Sequence, residues 1–163
     1  MIIGIQFQIP NEWGNVLNDI LTGIELEKYI FKIDDDEIHL ENNSFLFTDR
    51  IIEGNRFKKI ISQSTYYVVS VNIQGYIKKT YEEKSEVNSI EEFIRSNCDI
   101  MITIVDNIFV DIYTKSKEQL EQIKINAQKN QYNEIEEINI WQRLALTGTV
   151  TKNYVLVKLL DNQ

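Results

Sequence analysis

The chain holds one histidine, His39, and one cysteine, Cys98. Nucleophilic catalysis by serine or cysteine ordinarily needs a histidine base within hydrogen-bond reach. His39 sits in EIHLE between Glu37 and Glu41, facing away from Ile38 and Leu40 on an expected strand. A solvated strand histidine is the expectation there. Cys98 sits in SNCD, after an expected helix and before an expected strand, where a small, buried or half-buried apolar side chain is expected. Neither has a partner nearby in sequence, so only a Cys98–His39 pair assembled across the fold would supply this chemistry.

Metal chemistry has as little local support. Asp34, Asp35 and Asp36 cluster carboxylates, which suits a hard cation. A helix–loop–helix calcium site also needs a central glycine and a distal glutamate. The glycine is missing, and the twelfth position from Asp34 is Phe45. A charged hairpin tip over DDDE is expected instead, because turns select aspartate. No pair of cysteines or histidines stands at zinc-ligand spacing. No glycine-rich loop precedes a helix to cradle phosphate. Glu82 and Lys84 resemble part of a nuclease signature but fall in an expected loop, and Glu121 to Lys124 has the wrong spacing. With 25 acidic residues some carboxylate pair is always available, so pairing alone carries no specificity. The residues imply no catalytic set, no metal and no cofactor.

Composition narrows the class. The 163 residues fit one domain, 1–163, and 43% hydrophobic residues are enough for a single core. One proline and six glycines leave no room for a proline-rich or glycine-rich linker. MIIGIQFQIPN lacks the basic start and cleavage site of a signal peptide, and no apolar run approaches the ~20 residues that span a bilayer. Cys98 has no second cysteine to bridge, so a cytoplasmic location is expected. The net charge of −8 repels phosphate backbones and anionic membrane surfaces. The expected partner is a basic protein, not nucleic acid and not a membrane.

The elements that must position these residues read as follows. Ile3, Ile5, Phe7 and Ile9 alternate, giving a strand over 2–9. Pro10 ends it, Asn11 suits a helix N-cap, and Trp13, Val16, Leu17, Ile20 and Leu21 follow at helical spacing until Gly23. Tyr29, Phe31 and Ile33, then Ile38 and Leu40, predict a hairpin turning at 34–37, with Phe45 and Phe47 extending it. Asn55 suits the cap of a helix carrying Phe57, Ile60 and Ile61. In the strand YYVVSVNI, 66–73, Tyr67, Val69, Val71 and Ile73 share the expected core face, with Tyr66 and Ser70 opposite. The polar stretch 74–88 reads as a loop.

Ser89 with Glu92, and Ser116 with Gln119, have capping-box spacing before two further helices, the second running to about residue 131. Strands 99–106 and 108–114 meet at a tight Asp106–Asn107 turn. EIEEINI, 134–140, and TVTKNYVLVKLL add strands, the latter in a C-terminal extension over 147–163. The order predicts an α+β fold: a two-layer sandwich with a mostly antiparallel sheet and short amphipathic helices on one face.

Ile5 to Glu12 reads I-x-F-x-I-P-N-E, and FKKIIS (57–62), YYVV (66–69), IVDNIFVDIY (104–113) and RLAL (143–146) follow in order. This series resembles a family of small uncharacterised bacterial proteins of about this length that open with such a segment. The resemblance covers most of the chain, implies one intact domain, and supplies no activity. The segment from Thr147 onward runs past the usual end of such proteins.

With helices on one side, the other sheet face would present aromatics among polar groups, as Phe109, Asp111 and Tyr113 alternate against Ile108, Val110 and Ile112. An RNA-binding sheet uses such aromatics, but the basic and glycine-rich motif is missing and the charge has the wrong sign. A protein-binding module without catalysis is the leading expectation, in its sharpest form an acidic inhibitor of the toxin-immunity kind. Its candidate contacts are Trp13, Asp34, Asp35, Asp36, Glu37, Asp111 and Tyr113. The alternative is a small enzyme or small-ligand protein whose site is assembled across the fold. An edge-strand oligomer is a third reading.

Overall fold

The computed structural model describes residues 1–82 and 87–146, apart from the side chains of residues 35, 145 and 146. In chain order the elements begin β1 (Ile2–Gln8), α1 (Val16–Leu21), β2 (Tyr29–Leu40), β3 (Ile51–Glu53), α2 (Gly54–Gln63) and β4 (Tyr66–Ile77). They continue α3 (Ile90–Arg95), β5 (Cys98–Val105), β6 (Phe109–Thr114), α4 (Lys117–Lys129), β7 (Asn133–Asn139) and α5 (Ile140–Leu146). Among the described residues the strands form one seven-stranded sheet in the order β3-β2-β4-β5-β6-β1-β7, every pairing antiparallel. The fold is α+β, as the alternating segments imply.

The larger core lies between one sheet face and helices α1, α2 and α4. Leu17, Ile20, Phe57, Ile61, Ile123 and Ala127 from these helices meet Ile5, Phe31, Ile73, Ile102 and Ile112 from the strands. The stacked Phe31 and Phe57 rings, 4.1 Å between centroids, mark its centre. A smaller cluster gathers Phe93 of α3, Leu144 and Ile140 of α5, and Met101, Tyr113 and Tyr76. Helices α3 and α5 therefore shield part of the opposite face, so the helices do not all lie on one face as expected, because Met101 and Tyr113 alternate away from Ile100, Ile102 and Ile112 and need their own cover.

Several local expectations hold. Ser89 accepts from the Glu92 amide and Ser116 from the Gln119 amide, each opening its helix. Asp106 and Asn107 both take positive φ, 51° and 66°, as a two-residue hairpin turn of the right twist requires. Others are corrected. The DDDE segment is no hairpin tip: β2 runs straight through it and pairs with β4 from Tyr29 to Leu40. The register shifts between Asp34 and Glu37, where β2 has one extra residue, and again between Glu37 and Ile38, where β4 has one. These compensating bulges reverse the inside-outside alternation in both strands.

Tyr66 and Val68 consequently join the main core with Val71 and Ile73, and Tyr67 points the other way. Residues 74–77, read as loop, complete β4. Asn11 caps nothing: α1 begins at Val16, and Gly14 bridges to Tyr66. Helix α2 begins at Gly54, ahead of Asn55. The expected strand within 147–163 lies outside the described residues. No helix among the described residues is long and apolar enough to cross a membrane.

Candidate functional site

The β1–α1 corner is pinned at both ends. The Ile9 amide donates to Ile108 O at 2.9 Å, and Gly14 exchanges two backbone hydrogen bonds with Tyr66, at 2.9 and 3.1 Å. Residues 11–13 bow outward between these anchors, and Trp13 is 48% exposed. Tyr66 turns inward, where its hydroxyl receives the Leu17 amide at 3.1 Å and donates to Ile61 O at 3.1 Å. Its neighbour Tyr67 turns outward by strand alternation.

Tyr67 is the hub of an aromatic cluster. Its ring lies 5.7 Å from the indole of Trp13. Its hydroxyl donates to Asn11 Oδ1 and accepts from Asn107 Nδ2 at 2.6 Å. Across the β2–β4 ladder its register partner is His39, whose ring lies 5.4 Å from Phe45. Phe45 is 53% exposed, and Val105 and Phe109, paired beside the Asp106–Asn107 turn, are 47% and 50% exposed. The same segments carry exposed carboxylates at Glu12, Glu37, Glu41 and Asp106. Four segments remote in sequence thus present aromatic side chains and acids at one end of the sheet.

A polar row crosses the face beside it. Asp34, Asn72, Thr103, Asp111, Gln6 and Glu136 are successive register partners from β2 to β7. Arg143 of α5 reaches onto this row, donating to Asp111 Oδ2 at 2.6 Å and Gln6 Oε1 at 3.2 Å. Gln6 in turn donates to Glu136 Oε2 at 2.9 Å. Asn72 Oδ1 is buried and has no hydrogen-bond partner among the described residues.

The residues singled out from sequence distribute unevenly over this surface. Trp13 lies in the aromatic cluster, and Glu37 is exposed with Oε1 3.3 Å from His39 Nε2. Asp34 and Asp111 share the polar row. Asp34 is 3.3 Å from Gln74 Nε2 and 3.7 Å from Lys32 Nζ. Asp36 is spent locally, nearly buried in an ion pair with Arg50 at 2.5 Å. The side chain of Asp35 lies outside the described residues. Tyr113 is 4% exposed rather than presented, because it sits inside the smaller core against Phe93. Burial pushes its phenol up to about 12, with the neighbouring Asp111 charge acting in the same direction.

Tyr67, His39, Phe45, Asn107 and Arg143 were not legible as one surface in sequence. Only the Asp106–Asn107 turn gave a signal, since it fixes where Asn107 stands. The cysteine–histidine alternative loses its nucleophile: Cys98 is 0% exposed, and burial pushes its thiol up to about 12. Among the described residues no group of three histidine, cysteine, aspartate or glutamate side chains is placed to hold a metal ion.

Comparison with known proteins agrees with the motif series that begins at Ile5. The chain is 30% identical over 139 residues to the "Uncharacterized protein YncE" of Bacillus subtilis (strain 168), covering 82% of this chain and 89% of that protein. No solved structure matches. The family model described as "Protein of unknown function (DUF2691)" matches residues 2–144, which stops short of Thr147. With that span matched, the chain belongs to the DUF2691 family, whose function is unassigned.

Proposed function

We propose that this chain is a non-catalytic, cytoplasmic protein-binding module whose contact surface is the aromatic cluster around Tyr67 and the adjoining polar row. In its most specific form it is an acidic inhibitor of the toxin-immunity kind that covers a basic partner. The observation that carries this reading is the Trp13–Tyr67 and His39–Phe45 pairing on an exposed sheet end rimmed by Glu12, Glu37, Glu41 and Asp106. Interface energy concentrates on tryptophan and tyrosine side chains that lose water on contact. A carboxylate rim and a net charge of −8 steer a basic protein toward that surface and repel polyanions.

The test is capture of partners by the tagged chain from lysate of its source organism, washed at low and then high salt. A single stoichiometric basic protein, released by salt and not captured by Trp13→Ala, is expected. If no basic protein binds at low ionic strength, the reading is abandoned.

A further inference from the structure

A second surface lies where β2 begins, at the start of α4 and β5. A cleft of about 530 Å³ opens there. A hydrogen-bonded chain drawn from four elements runs along it, with Tyr29, Asp99 and Gln119 in the lining and Thr114 buried behind them. Thr114 Oγ1 of β6 donates to Gln119 Oε1 of α4 at 2.9 Å, and Gln119 Nε2 donates to the Tyr29 hydroxyl at 2.6 Å. The Tyr29 hydroxyl then donates to Asp99 Oδ2 at 2.5 Å.

Each link has one possible direction. The Asp99 carboxylate only accepts, so the Tyr29 hydroxyl places its one proton there and its oxygen must accept from Gln119. The Gln119 amide must then present its nitrogen to Tyr29. Tyr29 is 4% exposed, and burial together with the Asp99 bond raises its phenol well above the ordinary range, so it stays a donor. The chain ends on a carboxylate held in place by a preset proton. One tyrosine bond uses a fraction of a carboxylate's roughly four lone-pair sites, so Asp99 keeps acceptor capacity.

The remaining lining is chemically one-sided. Glu25 and Lys28 pair with each other, leaving Asp99 and Glu118 as the further acids of the lining, with the Lys115 charge acting on Asp99 from outside it. Ile24 and Ile77 supply apolar wall. Gly23 turns the chain at φ 85°, and a Cβ there would meet the Gln122 side chain at 3.2 Å, so the glycine lets wall and helix close together.

We propose that this cleft binds a small organic cation, an alkylammonium group with a short aliphatic stem, with the ammonium on Asp99 and the stem against Ile24 and Ile77. Donors on a nitrogen cation match a fixed carboxylate with charge-assisted hydrogen bonds. The volume falls within the range of small-ligand clefts, about 300–1,000 Å³. This site is independent of the aromatic surface and does not rest on the protein-binding reading.

Titration calorimetry with n-butylamine and with 1,4-diaminobutane, at constant ionic strength set by sodium chloride, tests it. Saturable one-to-one binding is expected, weakened about tenfold by Asp99→Asn, the loss of one charge-assisted hydrogen bond. Glu134→Gln, an exposed acid of β7 outside both surfaces, is expected to bind unchanged and so separates the site from bulk attraction to an acidic protein. If Asp99→Asn does not fold, Glu118→Gln serves, with binding weakened about threefold. Absence of saturable binding to the wild-type chain overturns the proposal. Equal weakening by Glu134→Gln, or undiminished affinity in the cleft variant that folds, does the same.

Discussion

Asn107 Nδ2 donates to the Tyr67 hydroxyl at 2.6 Å, joining the β5–β6 turn to the outward face of β4 across 40 residues of sequence. Tyr67 also holds Asn11 through that hydroxyl and Trp13 through its ring. The exposed aromatic surface is therefore braced from beneath, so its side chains lose little freedom when a partner covers them.

Trp13→Ala separates binding from folding. The indole is 48% exposed, so urea unfolding should shift by no more than about 0.5 kcal/mol. Affinity for the basic partner should fall by about 2 kcal/mol or more, read by calorimetry on the captured complex. A large loss of stability would mean that Trp13 is a structural element of the corner.

Tyr66→Phe probes the inward neighbour. Its buried hydroxyl serves the Leu17 amide and Ile61 O, linking the start of α1 to the end of α2. Removing it strands both groups, and unfolding should cost about 1–3 kcal/mol less than for the wild type. The urea midpoint measures this, and Tyr67→Phe, on the outward side, should give a smaller shift.

Gly54→Ala tests a close approach of backbone. A Cβ at Gly54 would lie 1.7 Å from Leu26 O and 2.6 Å from its carbonyl carbon. Backbone cannot swing aside as a side chain does, so the start of α2 must move, at a cost of about 2 kcal/mol or more. Thermal unfolding should show the loss. An unchanged midpoint would mean that the segment over 26–28 gives way freely.

Cys98 gives a pH prediction. Burial is the main cause that moves its thiol from 9.0 to about 12, opposed in part by the Lys115 charge. The unfolded chain then releases the thiol proton before the folded one does. Stability from this group is complete below pH 9 and declines as pH rises toward 12. Tyr113, raised from 10.0 to about 12, acts with the same sign. Urea midpoints measured as pH passes 9 should fall, and Cys98→Ala should flatten the first part of that fall. A thiol reagent near neutral pH should label Cys98 only after unfolding, and rapid labelling of the native chain would contradict its burial.

The sequence by itself determined the features that depend on a few adjacent residues. Alternation located β1, β5, β6 and β7, the Ser89 and Ser116 spacings opened α3 and α4, and Asp106–Asn107 placed a tight turn. Each signal is closed within about four positions, so local sterics and hydrogen bonding suffice. The family resemblance was legible for the same reason, since its motifs are short segments in order.

The tertiary structure alone decided which tyrosine faces out and what gathers around it. Paired bulges in β2 and β4 reverse the alternation, and a bulge exists only relative to its partner strand. Tyr113 became core because Phe93, which lies on another element, covers it, and Asp111 acquired Arg143 from 32 residues away. In the acidic run 34–37, Asp34 meets Gln74 of β4 and Asp36 meets Arg50, both from segments packed beside the strand, while Glu37 meets His39 two residues on in β2 itself. Burial and partnership are sums over distant segments, and a pattern read along one strand holds no record of them.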